Sequence, residues 1–285
     1  MKNTKTMILV FASLSLLAGC STGKTSAASG YVDNYPTLKG FDIDLAKATF
    51  KQLGITPIFQ EIVWEQKETE LSAKQIDLIW NGLTITSERK ESMEISMPYM
   101  TNSQVLVAKA SFSDSEITSD DNYKVAFEQG SAGEDAFNGN AMFSGSTSTP
   151  LSAQTNALTE VLSGTSDLAI IDSVMAGYYL SGSSSYAGKL KILSQYSFDS
   201  EYYGIAGRKG ETALMGKINE TLASLYNDGT TADIAKKYGL TNDLVKPDTD
   251  TSSAEKEDTS SWDYITKRGT IIIGYTVFAP IAFSD

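Results

Sequence analysis

The residues able to do chemistry are few, and their types narrow the options. The 285-residue chain has no histidine and one cysteine. That removes Ser-His-Asp and Cys-His catalysis together with most zinc sites, and leaves carboxylate chemistry and binding. Arg89 lies in Ser87-Glu88-Arg89-Lys90. Its guanidinium suits bidentate contact with a carboxylate, which a lysine cannot copy; the alternative is a helix-surface arginine paired with Glu88 or Glu91. Asp172 follows the apolar run Leu168 to Ile171. A carboxylate at the C-terminal end of a buried strand faces a cleft, or else caps the helix at Val174. Ser131 and Ala132 follow Gly130 after another strand, so their N–H groups could meet an anion at a helix N-terminus. A Gly-Ser turn without a ligand is equally compatible with that pattern, and no Gly-Lys-Ser/Thr follows to make a nucleotide loop. Asp42 and Asp44 form a D-x-D pair; their place at a helix start favours capping, with Asp44 as N-cap, over a metal, and no metal or cofactor is expected.

These groups need a frame of alternating strands and helices. Ala46, Phe50 and Leu53 recur at helical spacing and Gly54 closes that helix. Predicted strands follow at Ile58 to Val63 and Ile76 to Trp80, with a helix carrying Leu71 between them and a short helix capped by Ser87 running to Met93. The second half repeats this with strands at Lys124 to Phe127, Leu168 to Ile171 and Leu190 to Leu193. Helices carry Leu158 to Leu162, Leu214 to Leu225, and Ile234 to Tyr238. Strands alternating with helices predict parallel α/β sheets.

The ends have other compositions. Lys2 and Lys5 precede an apolar stretch from Met7 to Leu17, too short to span a bilayer. It leads to Leu17-Ala18-Gly19-Cys20, so 1–19 reads as a signal peptide, Cys20 as a lipidation site resembling a lipobox, and 20–30 as a tether. An ordinary secretory signal with an incidental cysteine is the alternative. Removing 1–19 moves the net charge from −12 to −14; so acidic a protein repels nucleic acid and anionic lipid, and membrane attachment would come from the lipid. Residues 241–261 hold six acids and eight Ser/Thr and read as a linker. After it comes Thr270-Ile271-Ile272-Ile273-Gly274-Tyr275, a continuous β-branched run that requires a strand covered on both faces.

Taken in order, Gly40-Phe41-Asp42-Ile43-Asp44-Leu45-Ala46, Trp80-Asn81-Gly82-Leu83-Thr84-Ile85-Thr86-Ser87-Glu88-Arg89-Lys90, Pro98-Tyr99, Gln129-Gly130-Ser131-Ala132-Gly133-Glu134-Asp135-Ala136, Ile171-Asp172 and Tyr202-Tyr203-Gly204-Ile205-Ala206 resemble the polar amino-acid solute-binding proteins of ABC importers, extracellular family 3. The departure is in the order. A segment like Arg268 to Asp285 opens the family's chains and here stands last, so the sequence reads as circularly permuted, with a truncated tandem copy as the competing origin. The resemblance implies an α/β, two-lobed, periplasmic-binding-protein-like (type II) fold: two parallel-rich sheets with a hinge, the first strand of lobe 1 supplied by the C-terminus. Lobe 1 would be 31–107 plus 204–285 and lobe 2 108–203, with crossings at Gln104 to Lys109 and Tyr203 to Arg208.

The same resemblance implies the site. Arg89, with the Ser131 and Ala132 amides, would take a ligand carboxylate. Asp172 would take an ammonium, and Thr84 and the Gly82 carbonyl would complete the two shells. Trp64 and Phe278 match aromatic positions around the ligand side chain, although aromatics after strands are more often core. Asn81, Tyr275 and Glu128 border that side chain; Tyr275 argues against a basic ligand and Glu128 for one, so its identity stays open. The implied partners are a free amino acid and an ABC permease, for a lipid-anchored, extracytoplasmic monomer. An enzyme on the same fold, of the cyclic-acid dehydratase type, and a sensory domain are the competing classes.

Overall fold

The computed structural model describes residues 34–35, 37–113, 117–196, 198–247 and 258–284. Cys20, the signal segment 1–19, the tether 20–30, the middle of the linker and Asp285 lie outside the described residues. The described strands are β1 (Leu38–Lys39), β2 (Thr56–Glu61), β3 (Leu78–Thr84), β4 (Met93–Ile95), β5 (Met100–Lys109), β6 (Lys124–Glu128), β7 (Thr147–Leu151), β8 (Leu168–Asp172), β9 (Leu190–Ile192), β10 (Ser200–Arg208), β11 (Thr270–Tyr275) and β12 (Phe283–Ser284). The helices are α1 (Phe41–Leu53), α2 (Lys67–Ser72), α3 (Ser87–Ser92), α4 (Ala132–Gly139), α5 (Gln154–Ser163), α6 (Ser173–Tyr179), α7 (Thr212–Asn227), α8 (Thr230–Tyr238) and α9 (Ser260–Arg268).

Hydrogen bonding orders the main sheet β2-β11-β3-β10-β5-β8-β6-β7, with β4 on β10 and β9 on β5. It has two parallel-rich halves, β2-β11-β3 and β8-β6-β7, joined by the long antiparallel strands β5 and β10. These two pair with each other at Met100 to Ser103 and Ser200 to Tyr203; beyond that stretch Gln104 to Ala108 already pairs with β8, and Tyr203 to Ala206 with β3. The crossing therefore begins a few residues earlier in each strand than the sequence implied. The strands alternate as sheets covered on both faces require. Ile271, Ile273, Leu78 and Trp80 face the helical layer with Ile43, Phe50, Leu214 and Ile218, while Ile272, Ile79 and Leu83 face Leu71 and Met93. In the other half, Val107, Ala126, Ala169 and Ile171 meet Leu158 and Val161, and Leu106, Val125, Phe127 and Ile170 meet Phe137 and Phe143.

The C-terminal strand is locked from both sides. β11 runs parallel to β2 over its whole length and to β3 at Ile273 and Gly274. Buried Asp77 accepts from the Ile272 N–H at 2.8 Å and pairs with Arg268 and Arg208. The following segment ends the first turn of α1: Phe41 and Asp42 N–H donate to the carbonyls of Pro280 and Ile281 at 2.9 and 3.0 Å. Those carbonyls satisfy donors that a helix start otherwise leaves orphaned. Asp44 is consequently not the N-cap; Gly40 holds that position, at φ 128°, where a Cβ would stand 2.2 Å from the Ile281 oxygen. Asp44 sits in the first turn and pairs with Lys237 at 2.7 Å. α3 is capped by Thr86, whose hydroxyl accepts from Arg89 N–H, and not by Ser87.

Deleting everything after Lys246 removes a central parallel strand and the helix cap together. Cooperative melting, followed by circular dichroism, is expected to disappear in the truncated protein. A truncated chain with a sharp transition would show that β11 is dispensable.

Candidate functional site

A cavity lies where the two halves of the sheet meet, at the carboxyl ends of β3, β6, β8 and β11. On the β3 side the backbone is bulged. Gly204 pairs with Leu83 but Ala206 with Ile79, so Trp80, Asn81 and Gly82 are left without partners on β10, and Asn81 and Gly82 line the cavity. Gly82 has φ +60°, and a Cβ there would meet the Phe278 ring at 2.7 Å. Its N–H donates to buried Asp42 at 2.8 Å, which also accepts from the Tyr99 hydroxyl. Burial lifts the Asp42 carboxyl to about 7 despite both donors. Trp64 and Phe278, both buried, wall this side, and Asn81 donates to the Thr276 hydroxyl at 2.9 Å while its own Oδ1 has no partner.

Arg89 is 7% exposed and reaches into the cavity from α3. Its guanidinium donates to the Thr84 carbonyl at 2.8 Å and, across the cleft, to the Gly130 carbonyl at 3.3 Å. Among the described residues it has no ion-pair partner. Glu88 and Glu91, the partners a surface arginine would take, are therefore not engaged. Lys67 on α2 donates to the same Gly130 oxygen at 2.9 Å and lies 4.9 Å from the centre of the Trp64 ring; burial, then Arg89, lower its pKa to about 8.

The opposite wall carries the acids. Asp172, at the end of β8, does not cap α6 with its side chain. It is clasped by three amides: Asn102, Gln104 (2.9 Å) and Gln154 all donate to it, and Gln154 Oε1 accepts the Asp172 N–H at 2.9 Å. Asn102 and Gln104 also donate to Glu201. The carboxyls of Asp172 and Glu201 are raised by burial first, that of Glu201 to about 7 with the Asp172 charge as second cause. Glu128, at the end of β6, is 5% exposed and raised to about 8, again by burial and then by Asp172. Ser131 caps α4 through its hydroxyl, and its N–H donates weakly to Glu128 O at 3.3 Å. The first α4 amide, Ala132 N–H, has no acceptor among the described residues.

The cavity thus brings together Trp64, Asn81, Gly82, Thr84, Arg89, Glu128, Ser131, Ala132, Asp172 and Phe278. It does not include Tyr275. That ring turns to the other side of β11, packing edge-on against Phe59 at 6.4 Å, and the next residue, Thr276, takes the cavity position. Strand alternation carried one residue further would have found it. Gln154 also lines the cavity; nothing in its local sequence marks it, because its role comes from a neighbouring strand. The free volume between the walls is about 10 Å³, room for little more than one water, so a ligand enters only if the two halves part. Among the described residues no group of acids is placed to hold a metal ion.

The chain is 28% identical to a probable histidine-binding protein of Neisseria gonorrhoeae over 73% of its length and 77% of the relative's. It is 27% identical to an arginine-binding extracellular protein of Bacillus subtilis, over 78% and 89%. It matches the structure of an ancestral arginine-binding protein bound to arginine with a TM-score of 0.65 at 33% identity, covering 72% of this chain and 90% of that one. The type II two-lobed fold is shared with these neighbours. Residues 20–241 match the family model of the bacterial extracellular solute-binding proteins, family 3, and the chain belongs to that family.

Proposed function

We propose that this chain is the extracytoplasmic binding component of an ABC-type importer, taking a free amino acid into its cleft and presenting the closed form to a permease. The observation that carries the reading is the buried Arg89, a cation with backbone carbonyls but no carboxylate, facing an acid cluster on the opposite wall. Burying an unpaired ion is costly, and a zwitterion supplies both missing charges. In this reading the α-carboxylate takes Arg89 and the Ala132 N–H, with Ser131 shaping that turn. The ammonium takes Asp172, the Thr84 hydroxyl and the Gly82 carbonyl, and Trp64 and Phe278 hold the side chain. The histidine- and arginine-binding relatives support an amino acid as ligand. The ligand leaves unchanged.

Closure follows from where these groups stand. Arg89 is carried by the lobe we assign to the β2-β11-β3 half of the sheet, and Asp172 by the lobe of the β8-β6-β7 half. A ligand touching both favours the closed arrangement by its differential affinity. Leu38 pairs with Ser284, and β11 fills the sheet beside β2 and β3. That juncture supports a circular permutation cut in the loop between them. Among the described residues no helix is long and apolar enough to cross a membrane; we assign attachment to lipid on Cys20, with a monomeric folded domain outside the membrane.

Arg89→Ala and Asp172→Ala are each expected to weaken amino-acid binding by about 2–5 kcal/mol, as loss of one partner of a desolvated charge pair does. Titration calorimetry showing wild-type affinity in either variant would remove that residue from the site. Cys20→Ala is expected to shift the protein from the membrane fraction to the soluble one with its melting unchanged; retention of the variant in membranes would refute the lipid anchor.

A further inference from the structure

The stretch of β3 that lines the cavity is not held by its own sheet. β10 leaves Trp80, Asn81 and Gly82 without partners, and β11 pairs with β3 only at Leu78 and Ile79. Gly82 is buried, and a buried N–H without an acceptor is costly, so a group outside the ladder must take it. Asp42 does so. Its Oδ2 accepts the Gly82 N–H at 2.8 Å and the Tyr99 hydroxyl at 2.8 Å. The carboxyl is 1% exposed, and among the described residues it forms no ion pair. It is not the cap of α1, where Gly40 stands and the first amides go to the Pro280 and Ile281 carbonyls. Nor is an acid needed to join α1 to the sheet, because Phe41, Ile43 and Phe50 already do so by apolar burial. A buried carboxyl is costly there unless it holds something in place. What it holds is the peptide that enters Gly82, and Gly82 then turns with φ +60° beneath the Phe278 ring and lines the cavity.

We infer that Asp42 is a positioning residue for the ligand ammonium: by holding the Asn81–Gly82 peptide it fixes the direction in which the Gly82 carbonyl meets the ammonium, without itself touching the ligand. The inference rests on the amino-acid-binding reading above and adds a residue outside the cavity that sets how well the amino group is recognised. Asp42 is not among the residues lining the cavity. Glycine has more backbone freedom than any other residue, and here no strand on either side restrains it, so its carbonyl needs a hold from outside the ladder. A carboxylate gives a firmer hold than a neutral acceptor, because hydrogen bonds to an ionised group are about twice as strong. The hold is braced in turn by the C-terminal segment. Ile281 accepts the Asp42 N–H at 3.0 Å, and Phe278 of the same segment stands over Gly82.

The test uses the full chain. The probes are the standard amino acids and, for each that raises the wild-type Tm, its α-deamino acid, which keeps the carboxylate and side chain but lacks the ammonium. Calorimetry gives the ratio of the two dissociation constants, the discrimination for the amino group. Asp42→Ala is expected to lower that discrimination about tenfold, the contribution of a hydrogen bond to a charged group, while affinity for the deamino acid stays unchanged. Tyr99→Phe removes the other bond to the same carboxyl and is expected to lower Tm with discrimination intact, which separates positioning from stability. Asp42→Asn keeps an oxygen, but a neutral and weaker acceptor, and is expected to fall between. The Gly82 amide proton resonance of isotope-labelled protein reports the bond directly. It is expected far downfield in wild type, and shifted upfield by Asp42→Asn in step with the lost discrimination. Should Asp42→Ala fail to fold, Asp42→Asn decides: a Gly82 resonance that does not move, or one that moves while discrimination stays at the wild-type value, overturns the proposal. So does Asp42→Ala with wild-type discrimination, or a wild type that binds amino acids no better than their deamino acids; both leave amino-acid binding standing. A wild type that no amino acid stabilises removes both readings.

Discussion

The cost of holding charge out of water governs this cleft. An ion taken into a protein interior loses several kcal/mol of hydration unless partners replace it. Arg89 meets that demand with two carbonyl dipoles, one from each wall. Asp172 meets it with three side-chain amides. Glu128 and Glu201 meet it by raised pKa values, which favour their protonated forms near neutrality. Dipoles, amides and protons are partial substitutes for counter-ions, so the cleft is arranged to accept a small molecule that brings its own charges.

The amides that hold Asp172 tie this electrostatic arrangement to the mechanics of the fold. Asn102 and Gln104 lie on β5, and Glu201, which shares them, lies on β10. These are the two strands that join the halves of the sheet. Rotation of one half against the other changes the environment of the residue proposed to receive the ammonium. Three further contacts cross the cleft: Lys67 to Gly130 at 2.9 Å, Gln129 to Glu65 at 2.8 Å, and the rings of Tyr178 and Phe283 with centres 5.7 Å apart. Gly130 is suited to its place, since a Cβ there would press on the Glu65 backbone at 3.2 Å. Two single hydrogen bonds and one ring pair are few, and such contacts hold an arrangement that ligand loss can release.

Much of the architecture was legible from local signals. The Ile271 to Ile273 run demanded cover on both faces, and β11 has it, with Ile271 and Ile273 fully buried and Ile272 half-buried on the other face. Gly54 and Gly164 end their helices in left-handed conformations, as their positions after apolar periodic segments implied. Less legible were features decided by segments distant in sequence. Asp44 looked like a cap because nothing local revealed that Pro280 and Ile281 would supply carbonyls to α1. The Gln154 clasp on Asp172 and the Asn102–Gln104 bridge likewise arise only when strands are placed side by side. Tyr275 against Thr276 is a one-residue question of strand phase, and one residue moves a side chain to the opposite face.

The central claim is that the cleft binds a free amino acid, and ligand-dependent thermal stability tests it most directly. A ligand that binds the folded state raises its stability by RT ln(1 + [L]/Kd), about 2.7 kcal/mol at one hundred times Kd. The wild-type protein, melted against each standard amino acid in turn at millimolar concentration, is predicted to show a concentration-dependent rise in Tm with at least one of them and none with that amino acid's decarboxylated amine. An unchanged Tm across the whole set would contradict the account.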